Sequence, residues 1–406
     1  MLYYIYDNIC CTGKYYKIQR LNYTHLGFKM NSKHIVFVCR DDIESIPPIL
    51  NSIFILSKLG HQISVITTSI EDDIRDLLNL NYDVLFHLMG KINRGKHPLT
   101  AINNNRRFRN FSTKKMTELI DSADIFWLSG ETTALSLYNA PICKKVKYIY
   151  SCHELYDSST FFKLIVKKFM LKSVINIVPE YNRAQIYRQW FKLVRTPYIL
   201  PNKTTLLFEK LKNLKTEKYD YEKLMNISKE INEQANGRRI VLYQGMISKV
   251  RQISKVIAAV KKMPDKFFFV LMGAENDFVM QLKKILPELY HIDYVPAPFH
   301  LHITKIVDIG FLAYDYSSLN HVFCAPNKIF EYSMFGLPML CNDVIGLSST
   351  VGVAKAGLCV DFSSVDKIVS ALDQLDKNYV KFKENSLILY KTVDMIKLHL
   401  ALLNNI

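Results

Sequence analysis

The sequence predicts an α/β protein of two doubly wound domains, each with a parallel sheet between layers of helices. Its 406 residues exceed what one ordinary hydrophobic core holds and suit two domains of about 150–200 residues each. Short apolar runs alternate with helical patterns in both halves, which is typical of parallel sheets. Residues 203–236 interrupt this alternation, and we interpret that charged, strand-poor segment as a connector.

The first half begins with a βαβ pattern. An apolar run at residues 34–39 precedes a helical pattern at 47–59 and a second apolar run at 62–67. Proline in the first turn of that helix and Gly60 after its end are typical helix boundaries. Four later apolar runs continue the rhythm, at residues 83–88, 125–128, 146–150 and 175–178. We therefore assign residues 30–202 to a first Rossmann-like domain.

The alternation restarts after residue 237, with a strand predicted at 239–243 and a helix at 253–262. Five further strands are predicted, at residues 267–272, 290–295, 309–313, 337–341 and 358–362. Residues 237–384 thus form a second Rossmann-like domain. Apolar residues at helical spacing follow, and residues 385–406 are assigned to a C-terminal helix able to pack back on the first domain.

Residues 1–29 are assigned to an N-terminal extension. They are rich in tyrosine and lack the basic start and clean apolar stretch of a signal peptide. Met30 stands as an alternative start, because the first predicted strand begins only at His34. No apolar run in the chain approaches the roughly 18–20 residues that span a bilayer.

The chain is strongly basic, with a formal charge of +16 at pH 7. Such a charge favours anionic partners, namely nucleic acid, acidic lipid or phosphorylated ligands. No zinc-finger spacing or aromatic RNA-binding strand is present, so no nucleic acid is expected as a partner. The eight cysteines form no CxxC pair or disulfide-like framework, which favours a reducing, cytoplasmic compartment.

The most informative segment is residues 325–338, which read Ala-Pro-Asn-Lys-Ile-Phe-Glu-Tyr-Ser-Met-Phe-Gly-Leu-Pro. Amide groups at a helix start, together with Lys328, suit a phosphate group. Glu331, one turn further along, suits a sugar hydroxyl. The plain alternative is an ordinary helix start with Glu331 in solvent.

A second segment, residues 243–253, reads Tyr-Gln-Gly-Met-Ile-Ser-Lys-Val-Arg-Gln-Ile. Gly245 allows the backbone to approach a ligand closely. Lys249 and Arg251 can neutralise a diphosphate, and arginine can do so with two parallel hydrogen bonds. The alternative is a pair of exposed basic residues before a helix.

His153 follows the apolar run at residues 146–150. It is therefore predicted at the carboxyl end of a strand, where open parallel sheets bind their ligands. A zinc-protease motif is excluded, because Asp157 stands where a second histidine is needed. A purely structural histidine is an equal alternative. Asn202, after Leu200-Pro201, is expected to be a turn residue.

These segments resemble the GT-B glycosyltransferases, specifically the large retaining group called family 4 or group 1. The most specific part of the resemblance is the Pro-Asn-Lys-(x)2-Glu-Tyr-(x)3-Gly-Leu-Pro pattern, and the similarity runs from near residue 34 to the end. The resemblance implies a GT-B fold, in which two doubly wound Rossmann-like domains face a central cleft and C-terminal helices follow. It also implies that the first domain faces the acceptor and the second binds a nucleotide-diphosphate sugar.

The resemblance implies a role for seven residues. Those expected to bind the nucleotide sugar are Gly245, Lys249, Arg251, Asn327, Lys328 and Glu331, with Glu331 on the ribose. His153, Arg251 and Glu331 are the expected catalytic residues. Catalysis is expected to rest on Lys249, Arg251 and helix-start amides, which stabilise the departing diphosphate. No metal and no cofactor besides the donor substrate are expected, because no acidic DxD-like pair stands in a suitable loop.

One position departs from the family pattern. Many members have a Glu-(x)7-Glu pair whose second glutamate corresponds to Glu331, and the first position here is Phe323. His321 and the backbone of residues 322–325 could take over the contacts to the donor sugar. The departure leaves the sugar and the stereochemical outcome open.

The implied activity is that of a hexosyltransferase, retaining and independent of metal. It would move a sugar to a glycan or a lipid-linked acceptor in capsule, exopolysaccharide or lipopolysaccharide biosynthesis. Two alternatives are a nucleotide-sugar epimerase of the same fold and a non-catalytic basic adaptor for membrane or nucleic acid.

Residues 159–172 form a basic, amphipathic helical pattern with lysines at 163, 167, 168 and 172. Such a helix can lie on an anionic membrane surface, so the protein is expected in the cytoplasm or peripherally on the inner face of the cell membrane. The alternative is an outer helix of the domain with solvated lysines. A second basic cluster, at residues 106–115, is equally ambiguous.

Overall fold

A computed structural model describes residues 32–92, 98–204 and 221–406. These residues form two parallel sheets, of seven and six strands, with helices on both faces of each. The strands of the first sheet are β1 (His34–Cys39), β2 (Gln62–Thr67), β3 (Val84–Leu88), β4 (Ile125–Ser129), β5 (Tyr148–Ser151), β6 (Ile175–Val178) and β7 (Tyr198–Ile199). Those of the second are β8 (Arg239–Gln244), β9 (Phe267–Met272), β10 (Tyr290–Ile292), β11 (Ile309–Leu312), β12 (Met339–Asn342) and β13 (Gly357–Val360).

Sixteen α-helices accompany the strands in the described part of the chain. Those before residue 204 are α1 (Pro47–Lys58), α2 (Asp72–Tyr82), α3 (Pro98–Glu118), α4 (Glu131–Ser136), α5 (Thr160–Met170) and α6 (Tyr181–Phe191). Those from residue 221 onward are α7 (Tyr221–Ala235), α8 (Ile253–Lys261), α9 (Asp277–Ile285), α10 (Leu301–Thr304), α11 (Leu319–Val322), α12 (Lys328–Met334), α13 (Ile345–Leu347), α14 (Val365–Lys377), α15 (Tyr379–Thr392) and α16 (Met395–Leu403).

Both sheets are doubly wound, as the sequence predicts. The orders are β3-β2-β1-β4-β5-β6-β7 and β10-β9-β8-β11-β12-β13, so the first strand of each domain lies inside its sheet. Every residue of β1 and β9 is buried, because helices cover both faces of the sheet. The register places Val36 beside Ser64 of β2 and Phe126 of β4.

The structure adds detail that the sequence pattern lacks. β5 begins at Tyr148 and not at Val146, whose amide instead donates to the carbonyl of Ile142 in a preceding turn. β7 has two residues and no periodicity, so it was not predicted. The long C-terminal helical pattern divides into α15 and α16, and the Asp394 side chain accepts a hydrogen bond from the Lys397 amide to begin α16.

Part of the predicted connector belongs to the second core in the structure. Within residues 203–236, helix α7 buries Leu224, Ile231 and Ala235 against the second sheet. Residues 205–220 lie outside the described residues, as does the predicted extension at 1–29.

The end of the chain returns to the first domain. Helix α16 buries Met395, Leu402 and Leu403 in the core that includes β1 and α1. Its His399 Nε2 lies 3.0 Å from Ser52 Oγ of α1. Beside this crossing, Lys203 Nζ donates to the carbonyl oxygens of Tyr390 and Val393, both at 2.6 Å. No helix among the described residues is long and apolar enough to cross a bilayer.

Candidate active site

A cavity of about 760 Å³ lies between the two domains. Residues that follow strand ends line it, including Asp41 after β1, His153 after β5, Gly245 after β8 and Tyr314 after β11. Both sheets therefore present their carboxyl ends to one space, which is where open α/β sheets bind ligands. The cavity brings together six of the seven sequence-predicted residues, which are His153, Gly245, Arg251, Asn327, Lys328 and Glu331.

The position of α12 follows from close packing against β11. The ring of Tyr332 lies on Gly310, where a Cβ would be 2.3 Å from Cδ2 of the ring. Only glycine allows this approach, so the helix sits directly on the sheet. Glu331 is the preceding residue and consequently faces the cavity at the edge of this contact.

Glu331 is a buried carboxylate with its own hydrogen-bond partners. Gln244 Nε2 donates to its Oε2 at 2.6 Å, and His300 Nε2 lies 3.4 Å from its Oε1. Gln244 is oriented in turn by Thr304, whose hydroxyl donates to Gln244 Oε1 at 2.8 Å. Burial acts to raise the pKa of Glu331, but His300, Lys328 and Gln244 together outweigh it and leave that pKa below its usual value. Glu331 is therefore an ionised acceptor of fixed orientation at neutral pH.

Lys328 stands beside Gly245. A Cβ on Gly245, whose φ is +114°, would lie 3.0 Å from Lys328 Nζ. Burial, and then the charge of Arg251, lower the pKa of Lys328 to about 8. Its ammonium makes no hydrogen bond to any residue that the structure describes. A shielded cation without a hydrogen-bond acceptor is suited to an anionic ligand.

The structure separates Arg251 from Lys249. The guanidinium of Arg251 lies 4.2 Å from the Tyr314 ring centroid, and its Nη1 donates to the Ala313 carbonyl at 3.3 Å. Its Nε is buried and has no hydrogen-bond partner among the described residues. Lys249 is exposed and lies outside the cavity lining. Both residues belong to one short 3-10 turn, which directs their side chains differently, and sequence spacing alone could not show this.

His153 lies on the opposite, first-domain side. Its Nε2 is 3.0 Å from Ser129 Oγ. Burial, and then the charge of Arg183, lower the pKa of His153 to about 4. The imidazole is thus neutral at physiological pH, so it can orient a hydroxyl but supplies no positive charge.

Arg183 is the main site residue that the sequence did not single out. It is 4% exposed, and its Nε donates to the Phe323 carbonyl of the second domain at 2.7 Å. Its other nitrogens donate to the carbonyls of Asn320, at 3.1 Å, and of His153. In the sequence, Arg183 stands five positions after the apolar run at 175–178, in the first turn of the helix that follows.

Three further hydrogen bonds hold the same second-domain segment against the first domain. The Asp157 carboxylate accepts from the Leu319 amide at 2.7 Å. The Leu155 amide donates to Asn320 Oδ1 at 2.9 Å, and Asn202 Nδ2 donates to the Ala325 carbonyl at 2.8 Å. The ring of Phe323 packs against apolar residues of the first domain. Asn202 is thus a bridge between domains as well as a turn residue.

Carboxylates of the first domain also line the cavity. Asp41 Oδ2 accepts from Thr132 Oγ1 at 2.6 Å. Burial raises the pKa of Glu131, and it raises the pKa of Glu44 to about 7. These residues line the same cavity as Lys328 and Arg251 and can accept hydrogen bonds from hydroxyl groups. Among the described residues, no group of histidine, cysteine and carboxylate side chains has an arrangement that could hold a metal ion.

No protein-family model matches the chain, and no curated protein sequence is similar to it. Solved structures match over nearly their full length. A glycosyltransferase from Rickettsia africae aligns at 16% identity and a TM-score of 0.66, over 93% of this chain and 98% of that one. HepE from Anabaena, solved with UDP and glucose, aligns at 11% identity and a TM-score of 0.66, over 92% and 98%.

WaaG, a glycosyltransferase involved in lipopolysaccharide biosynthesis, aligns at 12% identity and a TM-score of 0.60, over 90% of this chain and 97% of that one. The similarity covers both domains and the cleft between them. At these identities it establishes the fold. The two sheets, their strand orders and these structural matches together show that the chain has the GT-B fold.

Proposed function

We propose that the protein is a glycosyltransferase whose donor is a nucleotide-diphosphate sugar. The observation that carries this proposal is the wall formed by Lys328, Arg251 and Glu331. Two shielded cations have unused hydrogen-bond donors, and an ionised carboxylate of fixed orientation lies beside them. A nucleoside diphosphate supplies the matching groups, because its phosphates are anionic and its ribose carries two vicinal hydroxyls.

In this proposal Glu331 accepts hydrogen bonds from the ribose, while Lys328 and Arg251 bind the diphosphate and Asn327 lies near the sugar. Gly245 leaves room for the phosphates next to Lys328. The two cations stabilise the charge that develops on the leaving group. Helix α12 has only seven residues, so its dipole adds little and the cations are the main anion-binding groups.

We further propose that transfer retains the anomeric configuration and needs no metal ion, since Lys328 and Arg251 supply the positive charge. The acceptor, a glycan or a lipid-linked sugar, binds on the first-domain side. There His153 orients a hydroxyl, and Asp41 and Glu131 accept further hydrogen bonds from the acceptor.

A second surface favours an acceptor at a membrane. The outward side of α5 and the turn after it expose Phe161, Leu164 and Leu171, which are 60%, 57% and 54% accessible, together with Lys167 and Lys172. The ammonium groups of Lys163 and Lys168 instead lie over the rings of Trp190 and Tyr138, respectively.

A neighbouring loop exposes Val194, at 93%, between Lys192 and Arg195. Leu171 and Val194 line one depression of about 370 Å³. Exposed apolar side chains among cations suit an anionic bilayer. We therefore propose a cytoplasmic protein that binds the inner membrane face and acts in capsule, exopolysaccharide or lipopolysaccharide assembly.

The test is a screen of UDP-, GDP- and other nucleotide sugars for thermal stabilisation. A donor at 100 times its Kd should stabilise the protein by about 2.7 kcal/mol. The same shift should be lost in Glu331→Gln and Arg251→Met. Lys249→Met is the matched control, because this lysine neighbours Arg251 but lies outside the cavity lining.

Binding of no nucleotide sugar, or equal binding by all variants, would contradict the proposed donor site. Conversion of a UDP-sugar to its epimer in the absence of acceptor would identify an epimerase instead.

A further inference from the structure

A carboxylate–imidazole pair lies at the second-domain wall of the cavity. His321, on α11, lines the cavity, and its Nδ1 is 2.6 Å from Asp315 Oδ1. Asp315 also accepts hydrogen bonds from the amide and the hydroxyl of Ser317. Burial acts to raise the pKa of Asp315, but the hydrogen bonds from His321 and Ser317 outweigh it and keep that pKa below its usual value. The carboxyl group is thus ionised.

An ionised carboxylate only accepts hydrogen bonds, so the imidazole must donate from Nδ1. In the neutral ring this leaves Nε2 without a proton and with a free lone pair. Nε2 makes no hydrogen bond to any residue that the structure describes. The pair therefore supplies a proton acceptor of fixed orientation on a residue that lines the cavity.

The carboxylate–imidazole pair lies close to Arg251, which is proposed to bind the leaving diphosphate. The His321 ring meets the Tyr314 ring edge-on, with centroids 5.7 Å apart. The same Tyr314 ring carries the guanidinium of Arg251, 4.2 Å from its centroid. His321 and Arg251 therefore flank one aromatic side chain. Phe323, which stands where many members of the family have a glutamate, is two positions after His321 in the sequence.

We propose that His321 is the catalytic base that takes the proton from the attacking acceptor hydroxyl, and that Asp315 is its positioning residue. This inference rests on the proposed glycosyltransferase function. The acceptor oxygen bonds to the anomeric carbon on the face from which the diphosphate leaves, so the configuration is retained, and its proton moves to His321 Nε2. The bond from that carbon to the diphosphate breaks, and its electron pair leaves with the nucleoside diphosphate. The imidazolium, balanced by Asp315, then releases its proton to water.

His153 and Glu44 also lie in the cavity, and each fits this role less well. His153 Nε2 already lies 3.0 Å from Ser129 Oγ, and the low pKa of that imidazole makes it a weak base. Glu44 shares a small side pocket with Glu331 and His300, so it lies at the nucleoside end of the proposed donor site.

Four charged groups lie on α11 or near the elements beside it. Asp157 and Arg183 of the first domain bind its backbone, Arg251 lies across Tyr314, and Asp343 lies before α13, which contacts α11. None of the four takes the lone pair of His321 Nε2.

The test compares pH profiles of kcat and kcat/KM for the full chain, with the released nucleoside diphosphate as the readout. His321→Gln should lower kcat by about 100-fold and abolish the acid limb of the profile, with donor KM little changed. Asp315→Asn should lower kcat less than His321→Gln and leave donor KM little changed, because asparagine can still accept a hydrogen bond from Nδ1 but cannot balance the charge of the imidazolium.

Asp361→Asn is the matched control. Asp361 accepts from the amide and hydroxyl of Ser363 in the same Asp-x-Ser turn, but it lies outside the cavity lining and has no histidine partner. A structural role for the pair would alter stability without moving the acid limb.

An unchanged acid limb in His321→Gln would overturn the inference, as would an acid limb abolished by Glu44→Gln instead. If His321→Gln and Asp315→Asn both bind the donor in calorimetry and keep the wild-type pH profile, only this inference fails. If the wild type neither binds nor transfers any sugar, the proposed function fails, and this inference with it.

Discussion

Arg183 of the first domain donates a hydrogen bond from Nε to the backbone carbonyl of Phe323 in the second domain, at 2.7 Å. Its remaining nitrogens reach the carbonyls of Asn320 and His153. One buried side chain thus joins the loop after β5 to α11. Because α11 carries His321 and precedes Lys328, closure of the two domains and the arrangement of the cavity are coupled.

We expect Arg183→Lys to weaken that closure. Lysine is a compact donor and cannot reach three divergent carbonyls, so at least one hydrogen bond is lost. A hydrogen bond to a charged group contributes about 1.5–3 kcal/mol, which predicts a fall in kcat/KM of about tenfold or more. Interdomain distances from small-angle scattering should lengthen.

Arg188→Lys is the control, because Arg188 lies on the same helix and binds the exposed Thr196. Equal effects of the two substitutions on kcat/KM would mean that the hydrogen bonds of Arg183 between the domains do not contribute to activity.

Donor binding should take up protons at alkaline pH through Lys328. The pKa of its ammonium is about 8, so a growing fraction is neutral above that pH. A diphosphate favours the charged form and raises this pKa in the complex. Affinity should therefore fall as pH rises from 8, and the calorimetric enthalpy should vary with the ionisation enthalpy of the buffer. Lys328→Met should bind weakly and show no buffer dependence, whereas buffer dependence in that variant would assign the proton elsewhere.

The stability of the fold should decline in mild acid because of His399. This buried imidazole lies beside Ser52 and the Met395 carbonyl, and burial lowers its pKa from 6.5 to about 4. Between these values the unfolded chain binds a proton that the native state does not, so stability is complete above pH 6.5 and decreases toward pH 4. The loss from this group is about 3 kcal/mol.

Urea unfolding at several pH values checks this prediction. In His399→Gln the free energy of unfolding should depend less on pH over the same range, whatever its absolute value. If the free energy of unfolding depends equally on pH in the wild type and in His399→Gln, His399 contributes nothing to the acid sensitivity.

Binding at the proposed membrane surface should weaken when negative charges are introduced there. Leu164→Glu combined with Val194→Glu removes apolar contact and adds repulsion from anionic lipid, so binding should weaken by about tenfold or more. Co-sedimentation with phosphatidylglycerol vesicles measures this. Val380→Glu is the control, because Val380 is 68% exposed on α15, outside this surface. Vesicle binding that changes neither with lipid charge nor with these substitutions would contradict the proposed membrane surface.

Most strands were predictable because each is a short apolar run that helices cover on both faces. β1, β2 and β6 coincide with their predicted ranges. The two-residue β7 was not predictable, because it depends on pairing with β6 and not on its own pattern. Lys249 and Arg251 look equivalent in sequence, yet only Arg251 lines the cavity, because the turn that carries them points them apart.

The alternation of strands and helices is predictable from the sequence, as is the placement of Lys328, Arg251, Glu331 and His153 near strand or helix ends. These features depend on local periodicity and on residue chemistry. The contact of Gln244 with Glu331 and that of Arg183 with Phe323 arise only in the folded protein, because they join residues 87 and 140 positions apart in the chain. Such partners are set by how the sheets pack and how the domains close, because a hydrogen bond requires atoms about 3 Å apart whatever their separation in sequence.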